Sequence, residues 1–485
     1  MIRPDHHQLL DTVFNHLQDS QDPAMMIAGK AWTYPELKER VLAIESHWIK
    51  NKERGILIVA HDHIDTYAAI LACWSLGKFY VPIHPTYPEE RVEQIKTIIK
   101  TEYVFDPIQN SVPARIAETD WTLTRAFPDE ESWAYVLFTS GSTGEPKGVP
   151  IGWSNLSSFM KGFRDLGYEL NKRDRFLQMF DLTFDLSVMS FLVPLSLGAS
   201  FYTVPYNSLK YAVIAELLED HQLSFALMVP SILTYLSPYF DEINAKHLRY
   251  SLFCGEALHE DIVHQWAQCV PHAQIDNVYG PTENTIFCTR YTFDSAQPLT
   301  HQGILSIGSE MTNVACAIWN DHQQVLPEDE VGNLWLSGHY LTSGYLNRPD
   351  LNQSQFVMKD NVRWYNSGDL AARNKEGQLL YMGRQDSQLK IQGFRIEAAE
   401  VEFQLKKLIP EGSRVVALGI PNALGLMELV AVVENEEWDP MAIKEALAKV
   451  LPPYMIPSKL INMQSFPLNS NGKVDRKKIT EWVKY

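Results

Sequence analysis

Apolar runs of strand length alternate with helical patterns through roughly the first 300 residues. Three of the runs, "GILIVAHD", "YVPI" and "SFALMVP", are each followed by a helical pattern: "TYAAILACWSLG", "ERVEQIKTIIK" and "SILTYLSPYF". Alternation of this kind is typical of layered α/β structure. The sequence therefore predicts strands covered by helices in this part of the chain.

The pattern changes near residue 301. Short strands with glycine turns follow, as in "VGNLWLSGHYLTSGYLN", and predict a more antiparallel β section. Further on, "GRQDSQLKIQGFRIEAAEVEFQL" passes from strand and turn to an amphipathic helix. The runs "RVVALGI" and "ELVAVVEN" then predict two strands of a small α+β unit.

Charge divides the chain in the same way. The 485 residues carry 42 basic and 59 acidic side chains, a formal charge of −17, whereas residues 386–485 hold 13 of each. The whole negative excess thus belongs to residues 1–385. A chain of this length exceeds one hydrophobic core. We therefore predict two domains, 1–385 and 386–485, and no binding to nucleic acid, which requires basic surfaces.

The cysteines and the N-terminus indicate the compartment. Five cysteines are widely scattered without a CxxC spacing, so they predict neither a zinc site nor a disulfide framework. The N-terminal "MIRPDHHQLLDTVF" lacks the apolar core of a signal peptide. Residues 186–206 are uncharged and long enough to span a membrane, but their prolines and glycine favour buried helix and strand. We expect a cytoplasmic protein without a membrane partner.

The segment "HDHID" at 61–65 offers a candidate metal site. His61, His63 and Asp65 have spacings that metal ligands use. A polar turn that opens the helix predicted over Thr66–Leu76 explains the same residues. We favour the turn.

The loop "LFTSGSTGEPKGVP" at 137–150 is rich in glycine and hydroxyl groups. It follows a strand predicted over Trp133–Phe138 and precedes a helical pattern over Leu156–Phe163, which Ser154-Asn155 would cap. Exposed backbone N–H groups, the hydroxyls and Lys147 suit the oxygens of a polyphosphate. The spacing is not that of a Walker A loop. From these residues alone, a solvated surface loop remains an equal alternative.

Four further segments carry unusual polar residues. They are "FDLSVMSF" with Asp185 inside an apolar stretch, "NVYGPTENT" with Tyr279, Thr282 and Glu283, "YNSGDLA" with Asp369, and "GRQDSQLKIQGFR" with Arg384, Asp386 and Lys390. Each alone has an explanation as a turn, a cap or a solvated charge. In this order and spacing, together with the loop, they resemble the adenylate-forming enzymes, specifically amino-acid adenylation domains of the nonribosomal peptide type.

The resemblance extends from "WTYPEL" at 32–37 to "NGKVDRKKI" at 471–479. It is nearest to the stand-alone D-alanine–carrier-protein ligases, through "FDLSVM", "MVPS", "LFCGEAL" and "YGPTEN". Three departures leave the amino acid open. Trp153 stands where many relatives have an aromatic residue or histidine, Asn366-Ser367 stands where Arg-Thr is commoner, and "QGFRIEAAEVE" is closer to the general peptide-synthetase pattern than to those ligases. The implied fold is α/β: a large N-terminal domain of two β/α layers plus a distorted β-barrel, joined by a hinge at Asp386 to a small α+β domain.

The resemblance also implies a role for each motif residue. Thr282 would contact the α-phosphate, Glu283 would hold Mg²⁺, Tyr279 would flank the adenine, and Asp369, with Arg384 beside it, would accept the ribose hydroxyls. Lys473 would supply the positive charge for adenylation. The residues implied to hold the β- and γ-phosphates of ATP are Thr139, Ser140, Gly141, Ser142, Thr143, Gly144 and Lys147.

The implied reaction has two steps. A carboxylate, with a pKa of about 4, attacks the α-phosphorus without a general base, so catalysis consists of positioning and charge neutralisation. The small domain would then rotate, remove Lys473 and admit the phosphopantetheine thiol of a carrier protein. Little chain follows Lys473 and we find no carrier attachment motif, so we expect an acidic carrier in trans. The contact we expect for it is the neutral segment with Arg476, Lys477 and Lys478.

The implied substrate pocket is apolar apart from Asp185, which would pair with the ammonium of the amino acid. Its implied lining is Leu186, Met189, Leu227, Leu252, Cys254, Val278 and Ile286. The leucines and Met189 favour a small side chain, and the motif around Cys254, which resembles that of the D-alanine ligases, implies D-alanine first. The alternatives are a small L-amino acid (alanine, valine or proline) for a peptide natural product, or an acyl-CoA ligase, which would not need Asp185. A catalytically inactive regulatory or scaffolding protein is the remaining alternative, against which Lys473, Glu283 and Asp369 argue.

Overall fold

The computed structural model describes residues 5–110, 112, 132–140, 146–385, 388–410, 414–434, 439–468 and 474–483. The chain divides into two compact units. The larger comprises Met1–Pro85, Ile99–Leu137 and Gly148–Gly383, and the smaller comprises Thr86–Ile98, Phe138–Lys147 and Arg384–Tyr485. The domain boundary predicted between residues 385 and 386 stays a prediction. The segments Thr86–Ile98 and Phe138–Lys147 belong to the smaller unit, and no pattern in the sequence predicts this.

The helices, in chain order, are α1 (Asp5–Asp19), α2 (Tyr34–Trp48), α3 (Ile64–Ser75), α4 (Glu89–Ile99), α5 (Trp153–Asp165), α6 (Asp185–Leu197), α7 (Lys210–Asp220), α8 (Ser231–Leu236), α9 (Glu260–Cys269), α10 (Pro349–Gln355), α11 (Ala398–Lys406), α12 (Pro440–Leu447) and α13 (Arg476–Val483).

The strands are β1 (Pro23–Ile27), β2 (Lys30–Thr33), β3 (Gly55–Val59), β4 (Phe79–Ile83), β5 (Val104–Phe105), β6 (Trp133–Thr139), β7 (Lys147–Gly152), β8 (Arg175–Gln178), β9 (Ser200–Thr203), β10 (Phe225–Met228), β11 (Tyr250–Phe253), β12 (Gln274–Tyr279), β13 (Thr289–Thr292), β14 (Thr300–His301), β15 (Ile304–Leu305), β16 (Ser309–Glu310), β17 (Val314–Trp319), β18 (Gly332–Gly338), β19 (Phe356–Lys359), β20 (Val362–Arg373), β21 (Leu379–Arg384), β22 (Gln388–Ile391), β23 (Phe394–Glu397), β24 (Val415–Pro421), β25 (Met427–Glu434) and β26 (Lys459–Met463).

Two sheets carry the α/β layers. Within the described residues, one sheet has the order β16-β13-β12-β11-β10-β8-β9-β1-β2, and the other has the order β5-β3-β4-β6-β7. Strands β12, β11, β10, β8, β9 and β1 run parallel. Parallel strands covered on both faces are apolar throughout, as "GILIV" of β3 and "FYVPI" of β4 are. The alternation in the sequence reports this arrangement.

Helix α6 and strand β9 account for the long uncharged stretch at 186–206. Helix α6 is buried along almost its whole length and ends at Gly198, whose φ of 68° is the left-handed conformation that glycine favours at a helix C-terminus. Strand β9 follows at once. The predicted buried helix and strand are therefore confirmed. No helix in the described ranges has the length and apolar character that crossing a membrane requires.

Helix α5 begins earlier than the sequence predicted. Its N-cap is Gly152 and not Ser154-Asn155. The side-chain oxygen of Asn155 accepts the N–H of Gly152 at 3.0 Å, so the asparagine satisfies the helix end from its third position. The prediction was wrong because glycine supplies no side chain by which a cap can be recognised.

The section after residue 301 is antiparallel, as predicted. Strand β18 pairs with β17 and with β20, and β19 pairs with β20, all antiparallel. The long strand β20 carries Asp369.

The smaller unit has its own core. Strand β24 pairs antiparallel with β25, which pairs parallel with β26. Apolar residues of α11 and α12 pack with this sheet in one cluster, including Val401, Leu405 and Leu447. An ion pair between Arg91 and Glu400 is also buried in this unit, at 2.8 Å with side chains 2% and 1% exposed. A buried pair is costly to break, because the remaining charge has no solvent.

Candidate active site

Asp185 opens helix α6 inside the larger unit and is only 7% exposed. A carboxylate in the first turn of a helix is favoured by the helix dipole. Burial still makes the charge costly unless a cation or hydrogen bonds compensate for it. Burial, and next the charge of Asp185, raise the pKa of the Tyr135 phenol well above its ordinary value. The Tyr135 hydroxyl makes no hydrogen bond to any residue that the structure describes.

The residues implied to line the substrate pocket are all buried in one apolar cluster. Each is less than 8% exposed, and all belong to the main core of the larger unit: Leu186, Met189, Leu227, Leu252, Cys254, Val278 and Ile286. Leu227 on β10 stands in register with Leu252 on β11, and β12 adjoins β11. Cys254 follows directly after β11 and donates its N–H to the carbonyl of Met228 at 3.0 Å. The carboxyl ends of adjacent parallel strands are where α/β sheets bind ligands.

Tyr279 and Asp369 come together although 90 residues separate them. The Tyr279 hydroxyl donates to Oδ2 of Asp369 at 2.6 Å, and both side chains are buried. Burial, followed by the Asp369 charge, raises the pKa of Tyr279 well above its ordinary value. The N–H of Asp369 donates to Oγ of Ser367 at 3.1 Å. The phenol therefore orients this carboxylate without neutralising it.

Glu283 lies in a 3₁₀ turn, Thr282–Asn284, after β12 and is fully buried. The Tyr345 hydroxyl donates to Oε1 of Glu283 at 2.7 Å and lies 3.3 Å from the hydroxyl of Tyr365. Tyr345 could not be predicted as a site residue, because a tyrosine among glycine turns has no distinctive pattern. Its contact with Glu283 spans 62 residues.

The backbone beyond Glu283 is strained. Thr285 and Ile286 have φ values of 48° and 71°, a left-handed conformation that β-branched residues rarely adopt. At Gly280 an added Cβ would lie 2.4 Å from Cα of Phe287, so the chain folds back too closely for a side chain. Strain of this kind concentrates at functional sites.

Glu283 is suited to be a protein ligand of a magnesium ion that is also bound by phosphate oxygens. Mg²⁺ prefers hard oxygen ligands and usually takes one or two carboxylates together with phosphate oxygens. Glu283 supplies one buried carboxylate, and the described part of the chain holds no cluster of three His, Cys, Asp or Glu suited to a metal. At 61–65, Asp65 receives two hydrogen bonds from Arg40, at 2.5 and 2.6 Å, and His63 caps α3. The segment therefore lies at the start of α3, which begins at Ile64, two residues before the predicted Thr66.

The glycine-rich loop contacts strand β23 within the smaller unit. Ser140 Oγ donates to the carbonyl of Arg395 and accepts the N–H of Glu397, both at 3.0 Å. Lys147 Nζ lies 3.1 Å from Oε1 of Glu397. The Thr139 hydroxyl has no hydrogen-bond partner in the described residues. Glu397 has no local sequence pattern that marks it as a site residue, because its contact with Lys147 spans 250 residues.

Some predicted site residues lie at the boundary between the two units or outside the described ranges. Arg384 is the last residue of β21 and the first of the C-terminal stretch of the smaller unit, and its predicted role beside the ribose stays a prediction. The residues that lie outside the described ranges are Gly141, Ser142, Thr143, Gly144, Asp386 and Lys473.

Comparison with known proteins identifies the family. The family model for AMP-binding enzymes matches residues 15–346. Gramicidin S synthase 2 of Brevibacillus brevis is 30% identical over 94% of this chain, and the chain spans only 11% of that protein. A D-alanine--D-alanyl carrier protein ligase of Bacillus velezensis is 30% identical over 94% of both chains.

Solved structures of adenylation domains resemble this chain as well. The Vibrio cholerae adenylation domain AlmE, in complex with glycyl-adenosine-5'-phosphate, superposes with a TM-score of 0.88 at 26% identity and covers 98% of this chain and 97% of its own. This confirms the predicted mixed α/β fold. The match of the family model and relatives of 30% identity or more likewise confirm the predicted resemblance and, at the level of the family, an AMP-forming ligase. The chain belongs to the AMP-binding enzyme family, together with nonribosomal adenylation domains and D-alanine–carrier ligases.

Proposed function

We propose that this protein activates a small amino acid with ATP, as an aminoacyl adenylate, and transfers it to the phosphopantetheine thiol of a separate, acidic carrier protein in the cytoplasm. D-alanine is the substrate we propose first. The observation that carries the proposal is the buried Asp185 carboxylate at the start of α6; the other predicted pocket residues are buried in the main apolar core and carry no charge. The ammonium of an amino acid is the counter-charge that such a carboxylate would bind.

In the first step, the substrate carboxylate attacks the α-phosphorus and pyrophosphate leaves. Thr139, Ser140 and Lys147, together with the loop residues between them, hold the β- and γ-phosphates, and Thr282 contacts the α-phosphate. Tyr279 and Asp369 hold the adenosine, with Arg384 beside the ribose. Lys473 stabilises the charge that develops in the transition state. Mg²⁺ held by Glu283, when bound, neutralises phosphate charge.

In the second step, the carrier thiol attacks the carbonyl carbon of the adenylate and AMP leaves. Asp386 is the proposed hinge residue between domains 1–385 and 386–485. The cations of α13 differ in their availability for contact with the carrier protein. Arg476 pairs with Glu402 at 2.6 Å and donates to the carbonyl of Ala417. Lys477, which is exposed on α13, is the cation that we assign first to an acidic carrier; Lys478, also exposed, lies 4.0 Å from Asp475 Oδ2.

The substrate choice follows from the pocket. A polar side chain buried without a partner loses about 1–3 kcal/mol, roughly ten- to a hundredfold in selectivity. Charged and strongly polar amino acids should therefore be rejected, and the leucines and Met189 leave little room for aromatic rings. The names of the Bacillus ligases support D-alanine, and glycine is the amino acid in the AlmE complex. A small L-amino acid is the second candidate.

The test is amino-acid-dependent ATP–pyrophosphate exchange over a panel of D-alanine, L-alanine, glycine, valine, proline, phenylalanine, lysine and a fatty acid. We expect exchange with D-alanine at least tenfold above that with phenylalanine, lysine or the fatty acid. A tenfold preference for any of those three would overturn the proposed pocket. Preference for a small L-amino acid would retain the reaction and replace the substrate.

A further inference from the structure

Lys147 and Glu397 form an ion pair that is largely removed from solvent. Lys147 Nζ lies 3.1 Å from Glu397 Oε1, and the two side chains are 7% and 12% exposed. Solvent-exposed pairs contribute little, whereas a pair in a partly dry environment interacts strongly. The pair therefore ties the lysine of the glycine-rich loop to strand β23.

The same strand engages the loop at a second point. Ser140 uses its hydroxyl proton on the carbonyl of Arg395 and accepts the N–H of Glu397. A phosphate oxygen bound to Ser140 would need that hydroxyl proton. Strand β23 thus occupies both a hydroxyl donor and a cation that the loop would offer to an anion.

The carboxylate is held in place by its own hairpin. Gln388 pairs with Glu397 in the antiparallel register of β22 and β23, and its Nε2 donates to Oε1 of Glu397 at 2.8 Å. One turn later on α11, Glu400 is anchored by the buried ion pair with Arg91. Because the contacts of Gln388 and Glu400 fix the backbone and side chain around Glu397, its carboxylate is positioned against Lys147 before any ligand binds.

We propose that Glu397 is an internal counter-ion of Lys147 in the glycine-rich loop. It must release Lys147 before the β- and γ-phosphates of a nucleoside triphosphate bind. This inference rests on the proposed function and adds a regulatory residue to it. A ligand's apparent affinity falls in proportion to the fraction of protein that is binding-competent. The Glu397 contact therefore lowers the affinity for polyphosphates and leaves that for a nucleoside monophosphate unchanged.

The test measures binding to the full chain by calorimetry, with α,β-methylene-ATP as the polyphosphate probe and AMP as its control. Glu397→Gln removes the charge and keeps the shape. We expect it to tighten α,β-methylene-ATP binding by roughly fivefold or more, with AMP affinity unchanged. Glu434→Gln is the matched control, since it breaks another ion pair of the smaller unit, with Arg414, and should alter neither affinity.

A double-mutant cycle isolates the pair. In a Lys147→Ala background, Glu397→Gln should give no gain. If Glu397→Gln does not fold, Gln388→Ala tests the same contact by freeing the carboxylate, and a smaller gain of the same selectivity is expected. Equal or weaker binding of α,β-methylene-ATP by the folded variant overturns the inference but leaves the proposed function intact. Failure of the wild-type chain to bind either nucleotide would instead reject the proposed function.

Discussion

Two carboxylates of the larger unit, Glu283 and Asp369, are held by neutral hydrogen-bond donors, whereas Lys147 of the glycine-rich loop is held by an opposite charge. Glu283 and Asp369 each receive a phenol hydrogen bond, from Tyr345 and Tyr279 respectively. A neutral donor orients a carboxylate and preserves its charge for a ligand. Lys147 is instead paired with a full negative charge on Glu397. On the proposed function, the first arrangement is preorganised for binding, whereas the Lys147–Glu397 pair would have to open first.

The largest effect is expected at Lys473, because no other residue is assigned its role in the transition state. Lys473→Ala should reduce pyrophosphate exchange by about a hundredfold or more, the scale of losing one preorganised charge contact. Transfer from a pre-formed adenylate to the carrier should remain nearly normal. Lys477→Ala serves as a control for exchange. Near-normal exchange by Lys473→Ala would remove this lysine from the mechanism.

Asp185→Asn has the next largest expected effect, and it tests whether this carboxylate binds the ammonium group of the substrate. The KM for the amino acid should rise roughly ten- to a hundredfold, because a charge-assisted contact is lost, while the KM for ATP stays constant. Asp181→Asn, four residues earlier and 3.6 Å from Lys210, is the matched control. An unchanged amino-acid KM would favour an acyl-CoA ligase.

Tyr345→Phe tests whether a phenol orients Glu283. The magnesium concentration for half-maximal exchange should rise by about three- to tenfold, the loss of one hydrogen bond to a charged group, without a change in amino-acid KM. Tyr365→Phe, one phenol further away, should have a smaller effect. Equal effects from both, or a shift in amino-acid KM, would indicate a packing role instead.

The smallest effect concerns alkaline stability. The pKa of Tyr135 is raised above its ordinary 10.0 by burial and by Asp185. The unfolded chain therefore releases this proton first, so the stability present below pH 10 falls as pH rises beyond it. Tyr135→Phe should reduce that slope by about 1.4 kcal/mol per pH unit in urea unfolding. An unchanged slope would mean that the phenol ionises normally in the folded chain.

The sequence predicted the layers, because apolar runs leave a local pattern, and it singled out polar candidates whose roles stay predictions. Apolar runs reported the buried strands, and Asp185 stood out within an apolar stretch. What it missed was non-local. The contacts of Tyr345 with Glu283, of Lys147 with Glu397 and of Arg91 with Glu400 span 62, 250 and 309 residues. No spacing rule connects residues so far apart, and only the packing of the chain brings them together.

Ile286 has a consequence for engineering of the enzyme. It is a predicted wall of the substrate pocket, and its φ of 71° is one that an isoleucine adopts only under strain. Widening a pocket ordinarily weakens a protein, because a cavity is left behind. At this position, glycine would relieve backbone strain of about 1–3 kcal/mol, which offsets part of the roughly 2–5 kcal/mol lost when a buried isoleucine is truncated. A library aimed at bulkier amino acids can therefore begin at residue 286, where broader specificity should cost less stability than at the unstrained walls of the predicted pocket.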